Sequence, residues 1–320
     1  MPKLKEKIVL GIKTEGTQGT AVVPGATDFL LAEDVKVKIG AEKNERNANR
    51  STLDQLAHVI GKRWIELTFK TEIKTNGSAN AGSGQIYTPL GAALQACGFS
   101  ETATPSTNVT YAPISSSPGA GFYGPAKSCT IEAYLDNIKF VVAGCIGNFK
   151  VSLEAGKIGY YEFSFKGKYS GPADASPGTQ TYVATLPPIV ESASFTTHGF
   201  AAVLSKFEWS PNNVIAERPD VNSAGSILGF MLTGRKPNGS FDPEIETLSS
   251  HDFVSRVIAG TEGQVTITVG GTNGNKTTFT FPKAQYVDAD HGDRSGILTY
   301  QVPLRFNQNS GDDFVSIVQS

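Results

Sequence analysis

The sequence predicts an all-β protein with one short helix in each of two tandem domains. Each domain reads as a β-sandwich or barrel-like unit, and the two are related by internal duplication. Composition is the first observation: 34 Gly and 17 Pro in 320 residues, with many Thr, Ser, Asn and Val, favour strands and turns over long helices. The second is strict two-residue alternation in several stretches, the mark of half-buried strands. The third is that the same succession of elements occurs twice. The length also fits two domains better than one.

Residues 1–28 are charged, then rich in Thr, Gly and Pro through Pro24-Gly25, and read as an irregular N-terminal arm. The first domain spans 29–170. It opens with a strand from Phe29 to Ile39, in which Val35, Val37 and Ile39 alternate with Lys36 and Lys38. A polar excursion from Gly40 to Lys62 follows, and then Trp64 to Lys70 alternates again. That excursion is too long for simply turning the chain, so it reads as a functional or disordered loop. Thr88 to Phe99 has Pro near a helix start and Gly near its end, with Leu90, Ala93, Leu94 and Cys97 as one stripe. Insertions at Gly77 to Gly84 and Ser100 to Pro125 lengthen this half. Cys129 to Tyr134 turns at Leu135-Asp136-Asn137 into Ile138 to Ala143, and a last hairpin runs from Gly147 to Tyr169.

The segment 171–188, rich in Pro, Ser and Gly, reads as a linker to the second domain, 189–320. There Val203 to Trp209 is a strand, and Ser210 to Gly239 a second long excursion. Ser240-Phe241-Asp242 lines up with Thr68-Phe69-Lys70. Ser249 to Gly260 reads as a helix with a Ser N-cap and the stripe Phe253, Val254, Val257, Ile258. Gln264 to Val269 turns through Gly270-Gly271-Thr272-Asn273-Gly274-Asn275 into Thr277 to Phe281, a strong hairpin signal. The final hairpin, Ala284 to Phe306, overlays Gly147 to Tyr169 without a gap when Gly159 is set against Gly296.

Chemistry is sparse. His58, His198, His251 and His291 are scattered and belong to no metal or catalytic spacing, and no phosphate loop, nucleophile elbow or zinc pattern occurs. Asp288, Asp290 and Asp293 could offer calcium ligands, but a solvated acidic turn explains them better. Cofactor, metal and catalytic residues are therefore expected to be none, and the protein is not expected to be an enzyme. A net charge of −2, from 28 basic and 30 acidic residues, lacks the basic field of a dedicated nucleic-acid binder. Cys97, Cys129 and Cys145 read as reduced, mostly buried thiols. A Cys129–Cys145 bridge requires the two strands to face each other. The apolar run Ile8 to Ile12 is too short for a signal-peptide core, and no stretch approaches the roughly 20 apolar residues of a membrane span. A protein made and used in solution is expected.

Four residues stand out as candidates for contacts between subunits: Arg46 and Arg50 in the first excursion, Arg218 in the second, and Trp64 on the polar face of its strand. Solvated loops are the plainer reading of the arginines. Trp209, on the apolar face of its strand, reads as core.

The strand with its long excursion, the helix Pro89-Leu90-Gly91…Ala96-Cys97-Gly98-Phe99, and the ends of both halves carry a resemblance. Those ends are Phe149-Lys150-Val151-Ser152-Leu153…Phe163-Ser164-Phe165-Lys166-Gly167-Lys168-Tyr169 and Gly292-Asp293-Arg294-Ser295-Gly296…Asp312-Asp313-Phe314-Val315. From about Phe29 onwards the chain resembles the major tail tube proteins of long-tailed bacteriophages. The resemblance implies a β-sandwich with a flanking helix that assembles edge to edge into rings. The rings would stack into a conduit for double-stranded DNA, which passes without sequence-specific binding. Most relatives carry one such domain. Two per chain imply a trimeric, pseudo-hexameric ring. Tape measure, tail-tip and tail-terminator proteins are the implied partners, and assembly in the host cytoplasm into the virion tail the implied location. The competing reading is a two-domain β-sandwich module binding carbohydrate or a cell surface. A β-rich hydrolase with paired carboxylates has no motif in its favour.

Overall fold

A computed structural model describes residues 2–77, 87–104 and 107–320 of the chain. In order it comprises β1 (Ile8–Thr14), β2 (Phe29–Leu30), β3 (Glu33–Asn44), β4 (Val59–Glu72), α1 (Thr88–Ala96), β5 (Phe99–Thr104), β6 (Asn108–Pro113), β7 (Cys129–Leu135), β8 (Ile138–Glu154), β9 (Tyr160–Lys168) and β10 (Ala173–Asp174). There follow β11 (Thr196–Thr197), β12 (Leu204–Ser210), β13 (Asn213–Pro219), β14 (Ile227–Arg235), β15 (Asn238–Pro243), α2 (Phe253–Ala259), β16 (Glu262–Val269), β17 (Thr277–Tyr286), β18 (Asp290–Arg294), β19 (Ile297–Asn307) and β20 (Ser316–Gln319). The fold is mostly β with two helices among the described residues. The expected insertion at Gly77 to Gly84 lies, beyond Gly77, outside the described residues.

In the first half, β8 belongs to two sheets. Its beginning pairs with β7, which pairs with β1, while β10 takes its other edge. Its end pairs with β9, then β4, then β3. The transfer occurs at a bulge between Ala143 and Ile146, where Gly144 takes φ +66°. A bulge of this kind bends a strand and re-aims it. The buried Glu15 carboxylate holds the bend, accepting from Gly144 N at 2.8 Å, Ser128 Oγ at 2.6 Å, Thr130 Oγ1 at 2.7 Å and Gly19 N at 2.7 Å. The β7–β8 turn has Asp136 and Asn137 both at positive φ, as a two-residue hairpin with the strand's own twist requires.

The second half repeats these neighbours. β17 pairs along nearly its whole length with β16, which pairs with β11, and at its start with β20 on its other edge. Its end pairs with β19, then β15, then β12. Two ladders join the halves: β8 with β12, and β6 with β20. The buried side chains form one cluster that runs across both. Phe149 lies 5.2 Å from Trp209, Tyr161 lies 6.3 Å from Phe279, and Phe99 lies 6.2 Å from Phe314, between ring centroids.

Several sequence expectations are corrected. Residues 1–28 are not an irregular arm throughout, because β1 pairs with β7 from Ile8 to Thr14 and buries Leu10 and Ile12. The excursion after Ile39 begins later than its polarity implied: β3 and β4 pair out to Asn44 and Val59, leaving 45–58 as the tip. The second excursion is a hairpin, β13–β14. The gapless overlay of the final hairpins fails in register. Phe149 faces Phe163, but Tyr286 faces Leu304 rather than Tyr300. Alternation has period two, so any even slide preserves which residues are apolar, and only ladder pairing distinguishes them. The turn glycines at positive φ are Gly156 and Gly296, not Gly159 and Gly296.

Helix α1 has Pro89 near its start and is buried on nearly every side. Helix α2 starts at Phe253, and its N-cap is Asp252, which accepts from Ser255 N at 2.9 Å, instead of a Ser. Of the expected α2 stripe only Phe253 is buried, while Ile258 is 82% exposed. The three thiols are free and buried. Cys129 and Cys145 do sit opposite each other, and burial pushes the Cys145 thiol well up.

Candidate assembly interface

One ladder, β8 with β12, fuses the two half-sheets into a single antiparallel sheet of eight strands. Its order is β3-β4-β9-β8-β12-β15-β19-β18, with β17 beside β18 on the far edge of β19. At this seam Phe207 pairs with Leu153 and Trp209 with Val151. Phe207 and Trp209 are each 1% exposed because β8 covers the β12 edge. On the outer face Lys206 stands opposite Glu154, and Lys150 Nζ lies 2.8 Å from Glu208 Oε2.

The β13–β14 hairpin clasps the first half. Ile227, Phe230 and Leu232 pack with Ala126 and Ile146, and Trp64 and Ile215 border the cluster. Asn213 Nδ2 donates to Cys97 O at 2.8 Å and to Gly147 O at 3.0 Å. Arg235 donates to Gly98 O at 2.7 Å and also to Ile114 O. Gln18 Nε2 donates to Phe230 O at 2.6 Å. A second half could not be lifted off this surface without breaking both ladders and the clasp.

The two ends of the eight-stranded sheet are unpaired among the described residues. At one end β3 pairs only with β4, leaving Val35 and Val37 half-buried and Ile39 46% exposed. Lys36 and Lys38 face outwards beside them, with Lys38 Nζ 3.2 Å from Glu66 Oε2. At the other end β18 pairs only with β19. Arg294 lies on the outer face, 3.2 Å from Asp242 and also bonded to Glu244. His291 lies on the inner face, tilted against Tyr300 at 5.1 Å. Open edges of this kind template pairing with another chain unless charge protects them.

The four sequence candidates fall in different places. Arg46 and Arg50 are exposed in the tip 45–58, beyond the β3–β4 ladder. Trp64 and Arg218 are engaged within the chain. The Trp64 ring fills the space left by Gly40, and its Nε1 donates to Glu66 Oε1 at 3.2 Å. That indole bond, with Lys38 and Lys166 alongside, holds the Glu66 carboxyl below its usual range. The Arg218 guanidinium stacks over Tyr123 at 4.3 Å. The sequence marks β3 as a strand and β18 as an acidic turn, and gives neither as a site. The sequence signal in β3 is charge between alternating apolar residues, while β18, Asp-His-Gly-Asp-Arg, carries charge alone.

No group of His, Cys, Asp and Glu among the described residues could hold a metal, and no helix is long and apolar enough to cross a membrane. The half-buried His198 ring stacks on Tyr286 at 4.3 Å, and the buried His251 meets both rings edge-on, its Nε2 3.1 Å from Tyr286 Oη. Burial lowers the His251 pKa to about 4, helped by Arg256 and His198 and opposed by Asp252. Above that pH the imidazole is neutral, and it packs among Phe200, Phe253 and Tyr286.

Fold and edges together define a mostly β protein whose long sheet ends in two open strands. Comparison with known families sharpens this: the family described as phage tail tube protein matches residues 6–307, and the chain belongs to that family. No curated protein matches it. It is a structural protein of the bacteriophage virion tail, assembling with other phage proteins into the tail tube.

Proposed function

We propose that three copies of this chain close into a pseudo-hexameric ring, and that the rings stack into the tube through which double-stranded DNA leaves the capsid. The observation that carries this is the eight-stranded sheet, which contains each half's four strands in the same order and ends in two unpaired edges. A contact that joins unlike surfaces head to tail closes into a ring when its rotation permits. The repeated order of pairings supports an origin by tandem duplication, with 29–170 and 189–320 as the two tube units and 171–188 as the link. A net charge of −2 suits a conduit, since a strongly cationic wall would retain phosphates. Arg46 and Arg50, on the exposed tip, are assigned to contacts with neighbouring subunits. Tape measure, tail-tip and terminator proteins would set the length and the two ends, after assembly in the host cytoplasm.

Electron microscopy of the purified protein across a concentration series, with and without isolated tail tips as nuclei, tests the proposal. Stacked rings or hollow tubes with threefold averaged end views are expected. Persistence as a monomer under all those conditions would overturn it.

A further inference from the structure

The seam inside the chain shows how two chains meet. β8 receives β12 along its outer edge, and the same pairings make β18 the counterpart of the end of β8, and β3 the counterpart of β12. We infer that β18 of one copy pairs antiparallel with β3 of the next, with Arg294 opposite Asp34, Gly292 opposite Lys36 and Asp290 opposite Lys38. This inference rests on the ring reading above and names the residues that close the ring.

Three observations carry it. Both edges are open at opposite ends of one continuous sheet, so a second copy can meet them and the same chain cannot fold back to do so. Eight strands at about 4.8 Å set them on the order of 30 Å apart. Second, the faces match. Val35 and Val37 point to the core side on β3, as Phe207 and Trp209 do on β12. His291 and Asp293 point to that side on β18, and Asp290, Gly292 and Arg294 point outwards, because Arg294 reaches Asp242 and His291 reaches Tyr300. Third, the charges complement at both ends in this register, whereas a slide of two residues keeps at most one such pair. Running antiparallel, the basic Lys38 meets Asp290 at one end and the acidic Asp34 meets Arg294 at the other. The internal seam has the same logic with Lys206 opposite Glu154. Backbone bonds would supply attraction and the charges would set register and partner.

The test is disulfide trapping in the assembled protein. Opposed residues have Cα atoms about 4.5–5.5 Å apart, within disulfide reach. The chain carrying Lys38→Cys and Asp290→Cys should oxidise to linked species that stop at three chains, as the native thiols are buried. The mismatched pair Lys38→Cys and Arg294→Cys, displaced four residues or about 13 Å, should not link. In a parallel arm, Lys38→Glu and Asp290→Lys should each reduce assembly roughly tenfold, and the chain carrying both should recover it. Rings seen by microscopy without linkage of the matched pair would overturn this seam and leave the ring reading standing. Equal linkage of the mismatched pair would also overturn it. A matched ladder continuing past three chains would support the seam and overturn the three-chain ring. Absence of both assembly and linkage would overturn both.

Discussion

The joined edge of β12 and the open edge of β3 hold equivalent places in the two halves, yet they are built from different residues. β12 offers Phe207 and Trp209 to β8 and buries both completely. β3 offers Val35 and Val37, half-buried, with Lys36 and Lys38 between them and Asp34 at its bulge. The opposite faces differ in the same sense: Val151 and Leu153 on β8, but His291 and Asp293 on β18. A seam that forms once during folding can be as apolar as a core. A seam that must wait for another copy has to remain soluble first, and charge on an edge strand is the ordinary protection. The internal seam is therefore permanent, and the outer one, under the proposed ring, would be conditional.

The comparison can be broken most directly at Trp209. Trp209→Ala should cost the folded chain about 3–5 kcal/mol, since a fully buried aromatic is removed from the joint core. Val37→Ala should cost the isolated chain only about 1 kcal/mol while weakening assembly. Urea unfolding of both variants measures the difference, and equal losses would erase the distinction between the edges. A smaller effect is expected at the clasp. Arg235→Ala leaves the carbonyls of Gly98 and Ile114 without their guanidinium donor and should cost about 1.5–3 kcal/mol. Arg235→Lys should recover only part of this, because one ammonium lacks the planar fork. Retention of full stability in the alanine variant would show that the hairpin is held by Phe230 and Leu232 alone.

A last effect, spread over a range of conditions, concerns pH. His251 has a folded pKa near 4, below the 6.5 of an unperturbed histidine. Between those values the unfolded chain binds the proton and the folded chain does not, so stability falls as pH drops from about 6.5 to 4. The full shift corresponds to about 3 kcal/mol, of which about 1 kcal/mol is lost between pH 6.5 and 5.5. His251→Gln should flatten that slope in thermal unfolding measured across the range. An unchanged slope would assign acid sensitivity to other groups.

The sequence by itself determined the class of the elements that alternate strictly or are bracketed by turn residues, but not of β1, β5, β6, β13, β14 or β18. Alternation marked β4, β9, β12 and β19, proline and glycine bracketed α1, and the Asp136-Asn137 and Gly270–Asn275 turns marked their hairpins. Local rules suffice there, because side-chain periodicity and turn chemistry act within a few residues. The repeat was legible as an order of elements, but not in register, since a two-residue period is indifferent to even slides. Ile8–Thr14 was too short and too flanked by charge to announce a strand. Tertiary structure made it one by supplying β7 as a partner and Glu15 as an anchor. Only tertiary structure decided that β8 would bend at Gly144 and receive β12, that Trp64 and Arg218 would be engaged within the chain, and that β3 and β18 would be left open. Which edge remains unpaired depends on every other pairing in the sheet, and no local pattern carries that information.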